Sequence, residues 1–248
     1  MAAGTYQPGS TTGLPTDPGE TFPLRIKERV LLTGEPNAAT QGTVLQGSGA
    51  YTSPAAGPLL AAVILAEGAS ISRLTVRSEG RVGLVAEGVN GTVSNVQFTN
   101  NDTGALLISS NVTVSNNAIS QNNIGIKSMS GDAGLIAQNT IQNNTGGAIG
   151  VLISNAAPAL RQNQIRNNPG GGVVIEGASN PDLGGGGGSD GGNTLSCNGG
   201  DLINNGNGAI FARNNLWDHS APDRVDAVNG GSGSIDTTGA GVATTPCG

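Results

Sequence analysis

The residues best equipped for chemistry cluster between positions 76 and 132. In "VRSEGRVGLVAEG" (76–88) Glu79 and Glu87 fall beside Arg77 and Arg81, and Asp102, Lys127 and Asp132 follow. Carboxylates at this density could hold a calcium ion or exchange a proton. An arginine or lysine beside them could take the proton next to a uronate carboxyl group. Glu79, Arg81, Asp102 and Lys127 are the candidate catalytic set if the chain is an enzyme, because they could meet on one face of neighbouring units. The plainer reading, charges at strand edges and turns facing water, accounts for the same residues and is preferred.

Two other places invite chemistry. His219 is the single histidine and stands in "LWDHSAPD" (216–223), where Asp218 and Asp223 could join it in a small metal or acid–base site. The simpler expectation has Trp217 closing the last structural unit with its indole against the core, while Asp218 and His219 cap a turn. "GGGGSD" (185–190) partly matches a calcium-binding glycine repeat, and Asp182 and Asp190 are the candidate calcium ligands there. Apart from that ion no cofactor is expected. Cys197 and Cys247 are the two cysteines, and the secreted-looking composition favours a disulfide that ties the C-terminal tail to the body.

What positions these residues is a repeat. "NVQFTNN" (95–101), "NAISQNN" (117–123), "NTIQNN" (139–144) and "NQIRNN" (163–168) place Phe98, Ile119, Ile141 and Ile165 at a nearly constant spacing. Such a period is typical of solenoids. Further short apolar runs lie between, such as "ALLI" (105–108), "VTV" (112–114) and "GGGVVI" (170–175), so each period holds three apolar pieces separated by turn residues. Gly or Asn interrupts every few residues, which rules out sustained helices and fits strands of three to five residues. The fold expected is all-β: a single-stranded right-handed parallel β-helix with three short strands per coil. Asn tolerates left-handed backbone and its amide can bond its counterpart one coil away. Asn100, Asn122, Asn143 and Asn167 are therefore expected to stack as a ladder at one turn.

The same economy of short strands runs from residue 20 to 90, with "GSGAYTSPAAG" (48–57) as an outward loop and "GPLLAAVILAEG" (57–68) as a buried strand pair. The β-helix is expected over 1–219, with 220–248 as an extended C-terminal tail packed on the last coils. With 42 glycines, 2% aromatic and 11% charged residues, the chain has many turns and little bulky filling. A net charge of −6 without a basic stripe argues against nucleic acid as a partner. No apolar run is long enough to cross a bilayer, and "MAAGTYQPG" reads as the start of a trimmed mature chain rather than a signal peptide.

A further likeness is more specific. "GTYQPG" (4–9), "GETFPLRIKERVLLTGEP" (19–36), "DLGGGGGSDGGNTLSCN" (182–198), "NNLWDHSAPD" (214–223) and the terminal "PCG" together resemble a bacterial family of unknown function. That resemblance implies a right-handed parallel β-helix of the pectate-lyase-like fold in a secreted protein, and carries no activity with it. Inverting polygalacturonases of similar fold need paired aspartates, a histidine and an Arg-Ile-Lys motif. Here "RIK" (25–27) stands near the start with no Asp pair ahead of it, and alternation places its charges on an outer strand face. The function expected is a secreted or cell-surface, non-catalytic β-helix that is structural or glycan-binding and self-associating through its ends. The alternative is a polysaccharide-active lyase, hydrolase or epimerase, and whether Glu79, Arg81, Asp102 and Lys127 converge in one groove separates the two.

Overall fold

The computed structural model describes residues 1, 4–7, 21–35, 42–185, 190–219, 222–223, 226–244 and 247. Every regular element among them is a β-strand, and nearly all pair in parallel with the strand one coil away. Three sheets result. One runs from Gly4–Tyr6 through Thr75–Arg77, Gln97–Thr99, Ala118–Ser120, Thr140–Gln142 and Gln164–Arg166 to Gly241–Val242. A second includes Leu24–Ile26, Gly57–Leu65, Val82–Glu87, Thr103–Ile108, Ile124–Met129, Ile149–Ser154, Gly171–Glu176 and Leu202–Asn204 and ends at Ala227–Asn229. The third runs from Leu31–Thr33 through Asn90–Ser94, Asn111–Ser115 and Ala159–Arg161 to Ser234–Asp236. The chain visits the second, third and first sheets in turn, so each coil contributes one strand to each.

Stacking identical positions builds the core. In the first sheet Val76, Phe98, Ile119, Ile141, Ile165 and Leu195 lie in register, all at most 1% exposed. Trp217 follows, fully buried against the core as expected, but Val242 of a further coil pairs beyond it, so it does not close the last coil. Each fully buried side chain of this kind contributes about 1.5–3 kcal/mol, so the row rather than any strand's propensity holds the coils together. In the second sheet Gly83, Gly104, Gly125, Gly150 and Gly172 form a file where coils approach closely. A Cβ on Gly125 would come within 2.5 Å of the Gly150 carbonyl oxygen, so only glycine fits.

The paired asparagines split their tasks. Asn100, Gln121, Asn143, Asn167 and Cys197 take positive φ and turn the chain, while the residue after each one points inward. Asn101, Asn122, Asn144 and Asn168 are buried, and each donates from Nδ2 to Oδ1 of the next, the last to Asn198, at 2.8–3.1 Å. The ladder thus includes Asn122 as expected, whereas Asn100, Asn143 and Asn167 are corrected to the outward neighbour: left-handed backbone swings their side chains to solvent. A second ladder, absent from the sequence reading, runs through Asn117, Asn139, Asn163, Asn193 and Asn215, again Nδ2 to Oδ1, at 2.9–3.0 Å.

Three further expectations change. Gly49–Ser53 is a strand antiparallel to Gly57–Leu65, so the outward loop is a hairpin. Gly57–Leu65 is one nine-residue strand and not a pair. Residues 227–229, 234–236 and 241–242 add one more strand to each sheet, so the expected tail continues the solenoid where it is described. The cysteine expectation holds: Cys197 and Cys247 form a disulfide.

Candidate functional site

The turn that leads from the first sheet into the second repeats the geometry of the ladder, and its outward residues change from coil to coil. There Glu79 and Asp102 line one shallow depression with Gly80, Asn100, Asn101, Gln121, Asn123 and Thr145. Gln46 Nε2 donates to Glu79 Oε1 at 2.7 Å, and Asn123 Nδ2 and Thr103 Oγ1 donate to Asp102 at 3.3 and 3.4 Å. Thr99 Oγ1 donates to Gln121 Oε1 at 2.8 Å, which fixes that amide beside the depression. Two carboxylates therefore share a wall of amides and hydroxyls, a surface suited to hydroxyl-rich ligands.

The basic members of the candidate set differ: Arg81 lies one coil from Asp102 and its carbonyl accepts from the Asp102 amide at 2.8 Å, whereas Lys127 is set apart. Arg81 and Lys127 are not among the lining residues. Lys127 sits in mid-strand on the second sheet, in register with Leu106 and Leu152. The depression unites the two acids, Arg81 adjoins them through its backbone, and neither acid forms an ion pair among the described residues.

Glu87 has a structural partner set. Tyr51 Oη and Ser53 Oγ each donate to it at 2.8 Å and the Ala55 amide at 3.0 Å, which clamps the hairpin to the coil. Burial, reinforced by the Glu87 carboxylate, pushes the Tyr51 phenol up to about 12, so it is a hydrogen-bond donor and no base at neutral pH. Asp132 is fully buried and accepts from Ser110 Oγ and Ser128 Oγ, both at 2.6 Å. Burial raises its carboxyl above the usual range despite those donors.

The calcium candidates of the glycine-rich loop part company. Asp182 Oδ2 meets Arg161 Nη2 at 2.6 Å, and its Oδ1 accepts from the Gly184 amide at 2.9 Å. Asp190 is exposed, and residues 186–189 of that loop lie outside the described residues. Neither aspartate belongs to a group of three metal-ligating side chains among the described residues.

Such a group stands instead on the last coils. Oxygens of Asp201, Asp218 and Asp226 lie within 4.8 Å of one another, and His219, Asp223 and Asp226 form an adjoining set. His219 is exposed; its Nδ1 lies 3.1 Å from Asp226 Oδ2, and that contact first, then the Asp226 charge, raises the imidazole's pKa. Burial pushes the Asp201 carboxyl up to about 7, with Asp218 and Asp226 adding repulsion against the Asn198 amide. Asp218 accepts from the Cys197 amide at 2.8 Å; Cys247 Sγ at 3.1 Å from its Oδ1 carries no proton once oxidised and donates nothing. Sequence reasoning found Asp218 and His219 but missed Asp201 and Asp226. The available signal was the glycine file, because Asp201 and Asp226 stand one residue ahead of the paired Leu202 and Ala227, as Gly172 does ahead of Val173.

Comparison with known proteins agrees with this architecture. The family model described as "Protein of unknown function (DUF1565)" matches residues 1–224, and the chain belongs to that family. No curated protein sequence matches. Among solved structures the chain is similar to the Azotobacter vinelandii mannuronan C-5 epimerase AlgE4 A-module, with 16% identity and a TM-score of 0.54 over 99% of this chain and 88% of that one. At that identity the likeness is one of fold.

Proposed function

We propose that this DUF1565 member is a secreted or cell-surface solenoid that binds polysaccharide along its coils without transforming it. The observation that carries the reading is the depression at the ladder turn, where Glu79 and Asp102 stand with Asn100, Gln121, Asn123 and Thr145 and neither acid is ion-paired among the described residues. Amides, hydroxyls and carboxylates are the groups that exchange hydrogen bonds with sugar hydroxyls, and the two acids disfavour polyanionic chains. The Cys197–Cys247 disulfide supports an oxidising, extracellular setting. No helix among the described residues is long and apolar enough to cross a membrane.

A polysaccharide-active enzyme is the second reading, favoured by the epimerase module's similarity in fold, which is analogy. A panel of neutral and acidic polysaccharides separates the two when binding and product formation are followed together. Binding that weakens in Asp102→Ala and Asn123→Ala, with no new reducing ends, unsaturated uronates or epimerised residues, is the expected result. Product that vanishes with Arg81→Ala or Lys127→Ala establishes the enzyme instead.

A further inference from the structure

We propose that Asp201, Asp218 and Asp226 form a calcium-binding site at the C-terminal end of the solenoid. Their carboxylate oxygens lie within 4.8 Å of one another. Calcium–oxygen bonds of about 2.3–2.6 Å place opposite ligands roughly 5 Å apart, so one ion can touch all three.

Asp201 supplies an observation independent of the clustering. The residue is 2% exposed, and its Oδ2 is buried and accepts no hydrogen bond. Its Oδ1 accepts from Asn198 Nδ2 at 2.8 Å, where the first Asn ladder ends. A buried carboxylate oxygen without a donor has given up its hydration for nothing, unless a cation replaces it.

The register sharpens the point. Earlier coils hold glycine at this position, from Gly83 to Gly172, and the last two hold aspartates stacked one above the other. Asp226 is also buried, at 1%, and its carboxylate faces His219 Nδ1 and the Asp223 amide. Two buried like charges in adjacent coils repel, and a doubly charged ion between them turns that repulsion into attraction.

The donors choose the ion. Carboxylate oxygens suit a hard cation, and the neighbouring sulfurs are oxidised and offer no thiolate for zinc. Magnesium keeps several waters and takes one or two carboxylates, whereas calcium accepts several protein oxygens in flexible geometry, so calcium is the fit. The ion would tie the Cys197–Asp201 turn to the Asp218–Asp226 segment and so lock the end coil. This proposal does not depend on polysaccharide binding.

The test uses the full chain with its disulfide intact, freed of metal by chelator and titrated with calcium chloride. Calorimetry is expected to show one ion per chain, with Kd no weaker than about 1 mM, the range of extracellular modules. The melting temperature should rise by about 5–10 °C at a hundredfold excess over Kd. Asp201→Asn and Asp218→Asn should each weaken binding at least tenfold, whereas Asp182→Asn, whose partner is Arg161, should bind as the parent does. Asp218 is only half-buried, so Asp218→Asn decides the matter if Asp201→Asn does not fold. A parent protein that binds no calcium overturns the proposal, as does undiminished binding by the folded variants.

Discussion

At the scale of single residues, the doubled asparagines show how one amino acid serves two physical needs in adjacent positions. Asn143 has φ 54° and faces water, while Asn144 is 2% exposed and bonded to both neighbouring coils. Asn144→Ala removes two donors' acceptor and one buried amide, and is expected to cost about 2–4 kcal/mol in urea unfolding. Asn143→Ala should cost only about 1 kcal/mol, the penalty of left-handed backbone. Equal losses would refute the division of labour. Asp236 gives a pH dependence. Arg213 holds its carboxyl down to about 2, below the ordinary 3.8, so its stabilisation is present above that ordinary value and is lost as pH falls towards 2. Arg213→Ala should therefore lower the melting temperature slightly at pH 7, slightly because the pair is partly exposed, and the difference from the parent should vanish as pH falls towards 2.

The ladder register was legible and was misread for a specific reason. Counting three residues on from Phe98, Ile119, Ile141 and Ile165 gives Asn101, Asn122, Asn144 and Asn168, and counting two back from the last three gives the second ladder. Taking the first member of each Asn pair instead mixes the two positions, because one coil begins its turn with Gln121. Asp201 and Asp226 were hidden differently. Their partners come from other coils, and nothing near them in sequence reports that they replace glycines.

At the scale of elements, what matters is how closely coils approach and where the chain is tied. Gly125→Ala places a methyl against the Gly150 carbonyl and should destabilise by about 1–3 kcal/mol through overpacking, measured by thermal melting. The disulfide closes a loop between residues 50 apart, which in the chain-entropy view is worth up to about 4 kcal/mol. Reducing it should raise amide exchange first in the strands Ala227–Asn229, Ser234–Asp236 and Gly241–Val242. Uniform loosening of all coils would contradict a local tie. The strand order followed from the three apolar runs per period, whereas the hairpin at Gly49–Ser53 did not, since its Gly, Ser and Pro composition reads as loop.

At the scale of the whole molecule, the solenoid presents a long side wall whose inner rows are repetitive and whose outer residues differ from coil to coil. Stability is accordingly close to a sum over coils and their interfaces. Outward substitutions at Glu79, Asp102 or Asn123 should change melting by no more than about 0.5 kcal/mol in stability, which leaves them free for recognition. The fold was readable because the repeat states it many times. The site was readable only in part, because coil stacking brings Glu79, Arg81 and Asp102 to neighbouring positions while Lys127 falls in mid-strand on the second sheet.

The measurement that bears most directly on this account is titration of the protein with neutral and acidic polysaccharides, read for bound polymer and for product in the same samples. Binding that falls at least tenfold in Asp102→Ala and Asn123→Ala, with the polymer recovered unchanged, is the predicted result. Polymer that is cleaved or epimerised, in a manner lost with Arg81→Ala or Lys127→Ala, would contradict it.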